Sequence, residues 1–161
     1  SPVDRMRLNL RRHIGFVANN RGFWLQDAGR DDEAFDCYER VLAEIDTDNV
    51  SALFNEYEMA NSGYRRAAAK SRELSAKIGA IVEDKGRRYS ILPLGNYYGY
   101  VRNPAIFVRM GLAWARNGRP GEALNQVRRA IDFIPSEGRS EIMSMMRMRG
   151  LRILKRKRLR A

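Results

Sequence analysis

The chain has 161 residues, 44% hydrophobic and 30% charged, a composition that suits a folded domain with its own core and excludes a disordered one. No apolar run approaches the ~18 residues of a membrane span, and no apolar signal core opens the chain, which begins at Ser1-Pro2 like a cut or processed piece. The net charge of +11 is one-sided: residues 1–80 hold 12 Lys+Arg and 13 Asp+Glu, residues 81–161 hold 18 and 6. An anionic partner or a solvated basic face in the second half would each produce that asymmetry.

Ser1-Pro2-Val3-Asp4 predicts a helix start, with a capping hydroxyl, a proline in the first turn and an acid facing the positive helix end. Apolar residues recur at Val3, Met6, Leu10, Ile14 and Val17, which predicts one long helix over 2–27. It runs through Gly22 at a cost of about 1 kcal/mol. His13, the only histidine, has no cysteine or second histidine with which to share a metal. Ala28-Gly29-Arg30-Asp31 predicts a turn with Asp31 as the next cap. The following helix carries Ala34, Phe35, Tyr38, Val41, Leu42 and Ile45 on one stripe and ends at 46–49. Cys37, the single cysteine, excludes an internal disulfide and is expected as a small buried hydrophobe.

Residues 49–60 predict a further helix, with Leu53, Phe54, Tyr57 and Met59. A partner helix is expected from Tyr64 without interruption to about Asp84, ending near Gly86. Residues 89–102 form a loop with Pro93, Gly95, Gly99 and four tyrosines, Tyr89, Tyr97, Tyr98 and Tyr100. Loops of that length in compact domains tend to be functional or disordered, and this one is too aromatic for disorder. It is expected either to cover the edge of the core or to contact a partner. Residues 105–116 and 121–134 predict two more helices joined by Asn117-Gly118-Arg119-Pro120. A last helix over 140–158 begins with Met143, Met145, Met146 and Met148 and ends in a basic run.

Intervals repeat between distant segments. Gly22 to Gly29, Gly29 to Ala34 and Ala34 to Val41 are 7, 5 and 7 residues, as are Gly111 to Gly118, Gly118 to Ala123 and Ala123 to Ala130. Gly29 to Gly63 is 34 residues, a period known for helix-pair repeats. Small residues at such positions let two helices approach, and the turn glycine reverses the chain. Residues 110–135, MGLAWARNGRPGEALNQVRRAIDFIP, are the clearest copy. They resemble one tetratricopeptide repeat (TPR). The resemblance is clean at about 104–137, good at 15–48 and degenerate at 49–84, where Glu56 stands in place of a small residue.

The resemblance implies an all-α fold: antiparallel helix pairs stacked as a short right-handed TPR-like α-solenoid, a terminal capping helix at 140–158, and an inserted Tyr-rich loop at about 85–103. The whole chain is expected as a single domain, 1–161. The first helix of each pair would line a concave face that holds a peptide or helix of another protein. The inward positions would be Phe16, Asn19, Phe23 and Gln26, then Val50, Leu53, Tyr57 and Asn61, then Ala105, Val108, Leu112 and Arg116. Tyr97, Tyr98 and Tyr100 are further candidate contacts. A subset of the family clamps chaperone C-terminal carboxylates with Lys, Asn and Arg. The matching positions here hold Asn19, Phe23, Phe54, Ala105 and Arg109, so that clamp is not expected. Trp114 corresponds to Leu25 and is expected to pack between helices.

Catalytic patterns are missing: no glycine-rich phosphate loop, no His-Glu-x-x-His and no cysteine pair. The expectation is a non-catalytic scaffold without a cofactor or metal. The alternative is an electrostatic binder of RNA, DNA or an acidic membrane through Lys155, Arg156, Lys157, Arg158 and Arg160. Self-association through the terminal helices stays open, as does the compartment. A cytoplasmic segment is the simplest expectation, and a flank of a longer or membrane-anchored protein would carry the same pattern.

Overall fold

The structure, a computed structural model, describes residues 1–82, 98–103, 112, 115, 116, 118–121 and 123. These residues are helical and irregular, with no strand among them, so the described part of the chain is all-α. The helices are α1 (Pro2–Asp27), α2 (Asp31–Arg40), α3 (Val50–Asn61), α4 (Arg65–Ala68) and α5 (Ser71–Val82). The chain divides into two compact units, Ser1–Ile81 with Leu92–Asn103, and Val82–Ile91 with Pro104–Ala161.

In the first unit, α1 starts as its sequence predicts. The Ser1 hydroxyl accepts from the Asp4 N–H at 3.2 Å, and the Asp4 carboxylate accepts in return from the Ser1 amino group at 3.1 Å. The helix ends where Gly29 takes a left-handed conformation, φ +72°, and the Arg30 N–H reaches back to the Leu25 carbonyl at 2.9 Å. Gly63, φ +83°, closes α3 in the same way, with the Tyr64 N–H on the Met59 carbonyl at 3.0 Å. Each turn satisfies carbonyls that the helix end would leave open. The expected cap at Asp31 is not formed. Arg30 is the residue before the helix, with no side-chain cap, and Asp31 begins the helix, where its charge faces the positive end.

α1 and α2 run antiparallel. Gly22 meets Tyr38 while Gly15, one heptad earlier, meets Asp46, so the contacts move in opposite directions along the chain. The approach is close enough that a Cβ on Gly22 would lie 2.6 Å from Tyr38 Cε1. Tyr38 is fully buried, and its hydroxyl donates to Gln26 Oε1 at 3.0 Å. Burial pushes the Tyr38 phenol well above its ordinary range. Cys37 is half-buried, which likewise raises its thiol.

The apolar periodicity of α1 predicts the helix, but not its packed face. Val3, Met6, Leu10, Ile14 and Val17 are all exposed. By helical geometry they lie opposite Gly15, Asn19 and Gly22, which are the buried residues of α1. Small side chains let α2 come near, so they define the packed face.

α2 passes into a π-turn, Val41–Ile45, closed by the Asp46 N–H on the Val41 carbonyl at 2.8 Å. Asn49 then caps α3, its Oδ1 accepting from the Ala52 N–H at 2.9 Å. α3 is the central helix. Val50, Ser51, Ala52, Leu53, Phe54, Asn55, Glu56, Met59 and Ala60 are buried along it, and it packs against α1, α2 and α4.

The uninterrupted helix expected from Tyr64 to Asp84 is instead two helices, α4 and α5, parted at residues 69–70. The cause lies in Lys70. Its ammonium turns inward to Glu39 of α2 and to Glu56 Oε1 of α3, the latter at 3.3 Å, while its N–H tightens onto the Ala67 carbonyl at 2.9 Å. Three acids of α2 face cations and a hydroxyl near α4: Asp32 takes Tyr64, Asp36 takes Arg66 at 2.6 Å, and Glu39 takes Lys70. Arg66 also lies over the Phe35 ring at 4.6 Å. Leu74 and Ile78 of α5, four residues apart, are buried.

In the second unit the turn at 117–120 is described in part. Gly118 has φ +81° with its N–H on the Ala115 carbonyl at 3.2 Å, and the next helix begins at Pro120. Leu112 and Ala123, on the two sides of that turn, are buried. The capping helix and Trp114 lie outside the described residues.

Candidate functional site

Where the buried positions of a helix carry asparagine in place of an apolar residue, those amides must be given partners. Asn19, Asn49, Ser51 and Asn55 are each fully buried. Their partners come from residues 98–103 of the same unit, a segment that runs along α1 and α3 and that the sequence places at the end of the Tyr-rich loop.

The contacts read the main chain. Asn49 Nδ2 donates to the Tyr98 carbonyl at 3.1 Å, and Ser51 Oγ donates to the Gly99 carbonyl at 2.8 Å. The Tyr100 carbonyl accepts from both Asn19 Nδ2, at 3.0 Å, and Asn55 Nδ2, at 2.9 Å. The Tyr100 N–H donates to Asn20 Oδ1 at 2.7 Å, and the Arg102 N–H donates to Asn55 Oδ1 at 2.7 Å. Three consecutive carbonyls and two alternate N–H groups are thus held by side-chain amides and one hydroxyl. Asn55 Nδ2 also donates to Asn19 Oδ1 at 3.0 Å, which fixes the orientation of both amides. Asn49 has two duties, since the same side chain caps α3 with its oxygen and holds the segment with its nitrogen.

Side chains of the segment fall into distinct places. Gly99 has φ +106°, and a Cβ there would stand 2.5 Å from both Asn19 Nδ2 and Asn20 Oδ1. The Tyr100 ring packs against Phe23 at 5.4 Å and Trp24 at 6.1 Å between centroids. The Arg102 guanidinium lies 5.3 Å over the Phe23 ring and pairs with Asp27. Asn103 Nδ2 donates to Glu58 Oε2 at 2.9 Å. Tyr98 is buried and Tyr100 is exposed at its outer edge.

Behind the groove, α3 presents Glu56 on its other side, towards Glu39 and Lys70. Burial, then the hydrogen bond and charge of Glu39, push the Glu56 carboxyl up to about 8. Burial also opposes the charge on Glu39, but hydrogen bonds from Glu56 and Lys70 prevail and hold it below the ordinary carboxylate range. Lys70 is likewise penalised by burial, yet its bond to Glu39 keeps it above its ordinary value. At neutral pH the arrangement is therefore a Lys70–Glu39 ion pair beside a protonated Glu56.

Of the positions inferred for the concave face, Asn19 and Phe23 touch the segment, while Gln26 is taken by Tyr38. Phe16 is half-buried and contributes its carbonyl, 3.2 Å from where a Gly99 Cβ would stand. Val50 and Leu53 are buried within the core, Tyr57 is half-buried and Asn61 is exposed. Leu112 is buried and Arg116 exposed in the second unit. Ala105, Val108, Tyr97 and the basic residues Lys155, Arg156, Lys157, Arg158 and Arg160 lie outside the described residues. Asn20, Asn49, Ser51 and Asn55 were not singled out by pattern. A signal was present in polar residues at 51 and 55 on the apolar first half of α3, with Asn49 just before it.

Among the described residues, no cluster of acids, histidine and cysteine could hold a metal ion, and no helix is long and apolar enough to cross a membrane. No family model, curated protein or solved structure matches the chain.

Proposed function

We propose that this protein is a non-catalytic scaffold of the tetratricopeptide kind, whose α1–α3 groove holds a peptide segment of a partner protein. In this reading the helix pairs stack as a short right-handed solenoid, with the first helices facing the ligand. The observation that supports it is the set of six hydrogen bonds between Asn19, Asn20, Asn49, Ser51 and Asn55 and main-chain groups of residues 98–103. Side chains that pair with main-chain groups accept segments of varied sequence, which is how peptide grooves combine affinity with tolerance. The repeat spacing of Gly29 and Gly63, both in left-handed turns, agrees with the same family.

The test is selection of short peptides from a displayed library on the full chain, followed by titration on the Asn55→Ala variant. The comparison is made in chains that also carry Arg102→Glu, which loosens the internal segment. There, selected peptides are expected to lose about tenfold or more in affinity on Asn55→Ala, as a buried amide that serves two main-chain groups is removed. Equal binding to the variant would overturn the groove reading. Binding that vanishes on removal of residues 155–161 and falls steeply with salt would favour the electrostatic alternative instead.

A further inference from the structure

The groove that holds residues 98–103 is selective as well as adhesive, and each selective feature is set by residues outside the segment. At the Gly99 position the two amides of Asn19 and Asn20 leave no room for a Cβ, and the backbone is left-handed, so only glycine fits. At the next residue, Phe23 and Trp24 present ring faces and edges that an aromatic side chain fills. Two residues further, Phe23 and Asp27 together offer a ring face and a carboxylate. A guanidinium can stack on the one while pairing with the other, which a lysine ammonium does less well.

We infer that the α1–α3 groove is a recognition site for peptides of the form glycine–aromatic–any–arginine, and that the chain's own residues 99–102 occupy it in cis until a partner carrying that pattern displaces them. This rests on the proposed peptide-binding function and adds to it a ligand class and a mode of control. A segment of the same chain competes as an intramolecular ligand, at an effective concentration that a free peptide must exceed. Partner affinity for the intact chain is therefore reduced by the fraction of time the groove is closed. Weakening the internal segment should increase binding without any change to the groove itself. Arg102 is the place to do so, because its side chain reaches the groove at its partly exposed rim.

The experiment uses the full chain and a capped synthetic peptide, Tyr-Gly-Tyr-Val-Arg-Asn, followed by fluorescence anisotropy and by amide hydrogen exchange. The Arg102→Glu chain is expected to bind the peptide at least about tenfold tighter than the unaltered chain. Peptides with valine for glycine, alanine for the second tyrosine, or glutamate for arginine should each bind at least about tenfold more weakly. In the unaltered chain, excess peptide should speed exchange at the Tyr100 and Arg102 amides, since their acceptors Asn20 and Asn55 pass to the peptide. This readout needs no substitution, so it holds even if Arg102→Glu perturbs folding.

Equal affinity for the two chains together with unchanged exchange would overturn displacement. If this peptide binds neither chain while library-selected peptides bind in an Asn55-dependent way, the ligand class fails and the groove reading survives. If neither kind of peptide binds, both fail.

Discussion

Residues 2–14 and 15–27 belong to the same helix, yet only the second part is packed. The first part carries Val3, Met6, Leu10 and Ile14 in regular spacing and leaves them all exposed. The second carries Gly15, Asn19 and Gly22 on its inner side, packs against Tyr38 of α2 and Asp46 beyond it, and grips residues 98–103. Apolar spacing specifies a helix in both parts. Approach of a second helix depends on small residues, since backbones come near only where no Cβ intervenes.

The most severe way to break this contrast is to add bulk to the inner side. Gly22→Leu is expected to cost about 3 kcal/mol or more in urea unfolding, because its side chain would collide with the buried Tyr38 ring. Leu10→Ala, in the outer part, should change stability by less than about 0.5 kcal/mol. A similar loss for both would remove the distinction.

A second measurement sharpens the contrast between the two sides of α3. The folded Glu56 carboxyl lies near 8, above its ordinary value of 4.5. The folded state therefore holds a proton that the unfolded chain releases across this window. Stability should be greatest below the lower value and decline as pH rises towards and through 8, by at most about 1.4 kcal/mol per pH unit. Glu56→Gln should flatten the urea midpoint between pH 5 and 8.5. A profile as steep in the variant would show that another group titrates.

Asn55→Ala comes next, at about 2 kcal/mol. It removes a side chain that bonds Tyr100 and Arg102 main-chain groups and Asn19. Exchange should accelerate first at the Arg102 amide, whose acceptor is gone. Asp27→Asn is the mildest change on the groove side. It loses an ion pair at a partly exposed rim, which is expected to alter global stability by about 0.5 kcal/mol or less. Its effect should appear instead as faster exchange in residues 100–102.

Much of the first unit was legible because it rests on local chemistry. The bounds of α1 and the turns at Gly29 and Gly63 follow from short-range rules of capping and left-handed glycine. Asn19 and Phe23 were reached through the repeat spacing. The break at 69–70 was not legible, since apolar spacing from Ala67 through Leu74 to Ile78 suits one continuous helix. It arises from Lys70 meeting Glu39 and Glu56, residues 31 and 14 positions away. Asn55 was passed over for a related reason: a polar residue in a helix has no meaning until its partner 45 residues on is known.

The sequence by itself determines that the described part of this protein is helical and where its first turns lie, because backbone propensity and glycine geometry act within a few residues. Only the tertiary structure decides which face of α1 is buried, what the buried Glu56 faces and what fills the groove. Those outcomes depend on side chains brought together from distant positions, where burial sets the cost of any group left without a partner.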